Sequence, residues 1–216
     1  MIKAVTQAVT LYERHEYVAD AVVLVLGVLF SINASLWLLW RVTGLSVLVS
    51  VSVYCFGLLA MLGCSAAYNM MPQSRPSKRI LRRFDHAAIF IMIAATYTPL
   101  AVNRLEAPFG NIILAVIWIA ATVGVVMKLV VPRKFEMGSL ALYLGMGWLV
   151  VTVIKPLSQS LAHVDFWLLL GGGVVYSAGV IFYLLDRIPY NRAIWHGFVL
   201  LAVVLHFACV WGEFAG

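Results

Sequence analysis

Seven apolar runs, each about 20 residues long and nearly free of charge, leave this chain few ways to fold. They cover residues 17–40, 45–68, 84–101, 111–131, 137–154, 166–185 and 194–211. In lipid every backbone N–H and C=O must find its partner inside the segment, so such runs cross as α-helices. Gly44, Pro72, Pro76, Pro108, Pro132, Pro156 and Pro189 punctuate the breaks. Only 11% of the residues are charged and 63% are hydrophobic, where a soluble domain carries about 25% charge. Such a chain cannot cover a water-facing surface, and its 216 residues leave no room for a separate soluble domain. The expected fold is an all-α integral membrane protein, a seven-transmembrane helix bundle formed by residues 17–216 as one domain. Residues 1–16 precede it as a short polar segment in which Ile2, Val5, Val9 and Tyr12 would form a weak amphipathic face. That segment shows no cleavable signal pattern, so the first apolar run is expected to be a permanent anchor.

Lys and Arg predict the orientation. Twelve of the fifteen fall on one side of the spans; the other three are Arg41, Arg104 and Lys155. Positive residues stay in the cytoplasm, which puts the N-terminus inside and, with seven spans, the C-terminus outside. The densest basic segment holds Arg75, Lys78, Arg79, Arg82 and Arg83 and would meet anionic inner-leaflet lipids. Membrane lipids are therefore the expected partners. The net charge of +6 needs no nucleic acid to explain it.

Polar residues inside spans ask for a reason, because ionisable groups in a bilayer mark functional sites by default. Ser65 and Asn69 are four apart at the inner end of the second span, hence on one helix face. Asp85 and His86 open the third span, Glu16 and Asp20 the first, Arg192 and His196 the seventh. Four helices thus bring polar groups to one layer. Elsewhere the bland readings prevail. Cys55, Cys64 and Cys209 show no paired spacing and read as small core residues. Gly171, Gly172 and Gly173 would let helices approach closely. His206 reads as a packed histidine bonded across helices, and Thr96 and Thr98 as partners for carbonyls freed by Pro99. The seven tryptophans read mostly as interfacial anchors.

The stretches "FDHAAIFIMIAATYTPL", "GGVVYSAGVIFY" and "RIPYNRAIWHGFVL" closely resemble the bacterial hemolysin III family, the prokaryotic branch of the progestin and adipoQ receptor (PAQR) superfamily. The resemblance implies a seven-helix bundle with the N-terminus inside. It also implies a zinc site near the cytoplasmic face, with Ser-x3-His ending the second helix, Asp opening the third and His-x3-His opening the seventh. Here Ser65, Asp85 and His196 keep that pattern, while Asn69 and Arg192 stand where two histidines are implied. On the first helix, where the family pattern is Glu-x3-Asn-x3-His, this chain has Glu16, Asp20 and Leu24.

Asn is a poor zinc ligand, and a guanidinium has no lone pair to offer. His196 and Asp85 remain as metal candidates, enough for weak binding at best. No cofactor is expected, with zinc left open as a residual. Arg192 is expected instead to pair with Asp85 or Asp20 in a polar network of Asp20, Asn69, Asp85, Arg192 and His196 that replaces the metal. Two function classes follow. The favoured one is a non-enzymatic or regulatory protein of membrane homeostasis. The alternatives are a zinc-dependent lipid amide hydrolase of ceramidase type, with Ser65 and Asp85 as catalytic residues, or the cytolytic pore-former that the family name implies. A pore is disfavoured because no helix carries a charged face along its whole length.

Overall fold

The computed structural model describes residues 2–131, 135–185 and 187–216, with side chains from residue 14 onward. Eight α-helices follow in order: α1 (Ile2–Arg41), α2 (Leu45–Met70), α3 (Lys78–Asn103), α4 (Phe109–Val130), α5 (Glu136–Trp148), α6 (Ile154–Ser160), α7 (His163–Leu184) and α8 (Asn191–Phe214). A 3-10 stretch, Leu149–Val153, joins α5 to α6, so these three pieces make a single span. Seven helical spans long and apolar enough to cross a bilayer result among the described residues. The chain is a multi-pass membrane protein. Helix α1 runs unbroken through the polar segment expected ahead of the first span. The amphipathic face expected at Ile2, Val5, Val9 and Tyr12, and the charges expected at Lys3, Arg133 and Lys134, lie outside the described side chains.

Helix α3 is the hub. It contributes Ala88 and Met92 to a core shared with α1, α2 and α8. It adds Leu100 to a second core with α4, α6, α7 and α8, and Phe90 and Ala94 to a third with α4 and α5. Its span is 61% buried, the highest share of the seven, whereas that of α7 is 11% buried. The outer faces remain apolar: Leu36, Trp40, Leu45 and Phe109 are each more than 60% exposed. Only hydrocarbon or headgroup contact makes such a surface favourable.

Two breaks in regular structure are met differently. The Tyr97 hydroxyl donates to the carbonyls of Met146 and Gly147, each at 2.9 Å, and accepts from Val150 N at 2.7 Å. One phenol thereby satisfies the switch from α5 to the 3-10 turn, where helical partners are lost. Pro99 leaves the Ala95 carbonyl without its usual donor, yet the threonines do not serve it. Thr96 bonds Met92 O at 2.9 Å and Thr98 bonds Ala94 O at 2.8 Å. Trp118 departs from the anchor reading, since its indole donates inward to Thr98 Oγ1 at 3.1 Å.

Of the three glycines at 171–173, only Gly172 meets a neighbour: a Cβ there would overlap the His206 ring, while the other two face open space. His206 is packed as expected, Nε2 lying 3.1 Å from Leu169 O across the α7–α8 contact. Gly172→Ala should therefore destabilise the bundle by about 1–3 kcal/mol through overpacking, while Gly171→Ala and Gly173→Ala should not. Thermal unfolding in detergent reads the difference.

Candidate functional site

The up-and-down order of the helices brings the start of α1, the end of α2 and the starts of α3 and α8 to one end of the bundle. Local bonds fix each element there. Tyr190 adopts a left-handed backbone (φ 58) just before α8, and its N–H donates to Glu16 Oε1 at 2.7 Å. The Glu16 carboxylate thus sits at the electropositive start of α8 and ties the first helix to the last. The Lys78 ammonium donates to Met71 O at 2.7 Å and lies over the Tyr68 ring, closing the turn between α2 and α3. Arg82 pairs with Glu136 at 2.5 Å, and Arg83 donates to Leu129 O at 3.0 Å at the end of α4.

Within this frame three helices form one bonded chain. Asp20 Oδ1 lies 2.6 Å from His196 Nδ1. His196 Nε2 faces Ser65 Oγ at 3.5 Å. Asn69 Nδ2 donates to Ser65 O at 3.0 Å and reaches Ser65 Oγ at 3.4 Å. Asp20 is 7% exposed and Ser65 9%, so a buried acid is answered by a histidine, as burial requires. An ionised carboxylate can only accept, which places a proton on Nδ1 and turns Nε2 toward the hydroxyl. Asp85 enters from α3 beside Ser65 and His196, with Lys78 and Arg82 as its nearest cations.

Of the five residues expected in a polar network, Asp20, Asn69 and His196 come together through Ser65, with Asp85 beside them. The expected Arg192–carboxylate pair is corrected. Arg192 is exposed, and no described carboxylate lies within ion-pair distance of it. His196, one turn further along α8, already holds Asp20, and the long arginine side chain stays at the exposed mouth of the cavity. His86 lines the adjoining cavity, and its backbone carbonyl accepts from Tyr143 at 2.7 Å.

The donors do not make a zinc site. His196 offers only Nε2, and the positions of two implied histidines hold an amide bonded to Ser65 and an outward guanidinium. Leu24, at the third, is buried in the bundle. Among the described residues no three His, Cys, Asp or Glu side chains cluster closely enough to hold a metal ion.

Behind the cluster lies a cavity of about 620 Å³. Its polar end is lined by Ser65, Asn69, Asp85, Arg192 and His196, and apolar side chains such as Leu62, Met92, Leu144 and Leu200 line its depth. The opposite end of the bundle carries a feature the sequence did not single out. Glu213, 9% exposed, accepts from Ala162 N at 2.7 Å, and its Oε2 lies 2.6 Å from Arg104 Nε in an ion pair too bent for a linear hydrogen bond. An acid just past the last apolar run was the signal for it.

Two substitutions separate the partners. Asp20→Ala strands the His196 N–H in the interior and should cost about 1–3 kcal/mol. Arg192→Ala should stay within about 0.5 kcal/mol of the parent, as exposed changes do. Parallel thermal melts in one detergent check both.

The comparisons with known proteins agree with this architecture. The family model described as "Haemolysin-III related" matches residues 14–207. The chain is 36% identical over 198 residues to "Hemolysin-3" of Bacillus cereus, covering 90% of each protein. It is likewise 36% identical to "Hemolysin-3 homolog" of Bacillus subtilis (strain 168), covering 90% of this chain and 92% of that one. The human "Monocyte to macrophage differentiation factor" is 27% identical over 168 residues, which is 76% of this chain and 69% of its own length. A match along nearly all of the chain, carried by the same seven spans, means that this protein belongs to the haemolysin-III related family, of PAQR type.

Proposed function

We propose that this protein is a zinc-independent, lipid-binding bundle of a bacterial inner membrane that acts in membrane homeostasis. Its N-terminus is cytoplasmic, and its cavity holds a single-tailed amphiphile. The cavity carries the reading: a mostly apolar interior, lined at the basic end of the bundle by hydrogen-bonding and cationic side chains. Its volume falls in the range of about 300–1,000 Å³ typical of small-molecule sites. An acyl chain fits the apolar depth, and a carbonyl or anionic head fits Asn69, Arg192 and His196. Arg75, Arg79 and Arg83 are exposed around the same end. They would hold that end against anionic inner-leaflet lipids, each contributing about 1 kcal/mol. The name of the Bacillus cereus relative suggests cytolysis, which is disfavoured because no helix carries a charged face along its whole length.

Binding of a dansyl-labelled fatty acid to the full chain in detergent micelles tests the reading. Saturable binding is expected, with Leu200→Trp, which fills the cavity, weakening it at least tenfold. Binding that ignores the tryptophan would sink the idea. Metal analysis of the dialysed protein should find well under one zinc per chain, and stoichiometric zinc would restore the metal-hydrolase alternative. Conversely, Asn69→His with Arg192→His should create zinc-dependent thermal stabilisation, about 2.7 kcal/mol when zinc exceeds its dissociation constant a hundredfold.

A further inference from the structure

Once the metal is set aside, the bonded chain at the polar end has a chemistry of its own. An acid, a histidine and a serine stand in series, Asp20 Oδ1 to His196 Nδ1 at 2.6 Å and His196 Nε2 to Ser65 Oγ at 3.5 Å. Each comes from a different helix, and the serine lines the cavity. The two ring nitrogens take the two roles that nucleophilic catalysis demands. Nδ1 is fixed by a carboxylate, and Nε2 turns a lone pair toward a hydroxyl. The longer contact is of the length that tightens when substrate binds. Asn69 adds direction. Its amide lies 3.4 Å from Ser65 Oγ and occupies an oxygen lone pair, while the Asp85 carboxylate accepts from the same hydroxyl at rest, so the proton turns to the histidine only when substrate enters.

We propose that Ser65, His196 and Asp20 form a metal-free relay that hydrolyses the ester bond of a single-chain acyl lipid held in the cavity. The proposal rests on the lipid-binding reading above. Ser65 Oγ bonds to the ester carbonyl carbon while its proton passes to His196 Nε2. The tetrahedral intermediate collapses, the acyl C–O bond to the alcohol breaks, and His196 returns the proton to the departing alcohol. Water then adds to the acyl-serine, giving its proton to Nε2. The Ser65–acyl bond breaks, the proton returns to Oγ, and a free fatty acid leaves.

Arg192, at the mouth of the cavity, is the donor for the developing oxyanion. Asp85, beside Ser65, is placed to accept a hydrogen bond from the incoming water. Asp20 touches no reacting atom and is a positioning residue, holding the imidazole in its productive tautomer. Without a Lewis acid to polarise the carbonyl, an ester, the more reactive acyl bond, is the fitting substrate.

The test uses the full chain in detergent with EDTA present and two probes, an alkyl fluorophosphonate and lysophosphatidylglycerol. The expected results are a covalent adduct on Ser65 and fatty-acid release that EDTA leaves unchanged. Ser65→Ala should abolish both while still binding dansyl fatty acid, and His196→Gln should lower release by roughly 10²-fold or more. Asp20→Asn should reduce kcat by a similar factor with KM held, and Asp20→Glu should recover part of it, which a purely structural role would not produce. Turnover in Ser65→Ala, absence of the adduct in the parent, or release that requires added zinc overturns the relay. If dansyl fatty acid binds and neither probe reacts, the relay alone fails; if it does not bind, the cavity reading fails and takes the relay with it.

Discussion

In hydrocarbon an unpartnered polar group costs several kcal/mol, and the whole bundle is arranged around that penalty. It forces the backbone into spanning helices, and at the 3-10 turn it is met by the Tyr97 hydroxyl. The buried acids obey the same rule. Asp20 lies against His196 and Glu213 against Arg104, at opposite ends of the bundle. The long middle of each helix is left to apolar packing around α3. The buried ion pairs are thereby placed at the ends, with a mostly apolar hollow between.

Much of the fold was legible because a span announces itself by length and hydropathy alone. Helix α7 illustrates the limit. Its expected boundaries are close to those found, yet the glycine triplet inside it gave no hint that only Gly172 meets a partner. Facing is set by tertiary packing, which a single helix does not encode. The candidate site was legible in its members, because four-residue spacing puts Ser65 with Asn69 and Arg192 with His196. Its pairing was not. Charge complementarity favoured Arg192 for Asp85 or Asp20, but the register of α1 against α8 gave Asp20 to His196. The long guanidinium could leave for the surface while the short imidazole could not.

The exchange at the implied metal positions is internally consistent. An amide replaces a ligand where a hydroxyl needs a neighbour, leucine fills a position facing the hollow, and the cation sits where it can leave the interior. Each new residue suits a hydrogen-bonded cluster better than it suits zinc. The resemblance alone implies the missing histidines; the bonded chain through Ser65 shows how the residues present are arranged.

The seam between the first and last helices has a consequence for biogenesis. Glu16 grips the N–H ahead of α8, and Asp20 grips His196, partners separated by more than 170 residues. As the helices enter the membrane in order, the acid of the first must wait, unpartnered, until the last arrives. The unfinished chain therefore carries a destabilised carboxylate that only completion relieves. Closure of the ring and assembly of the site are one event, so a truncated product would lack both and would present an exposed acid to the machinery that recognises incomplete membrane proteins.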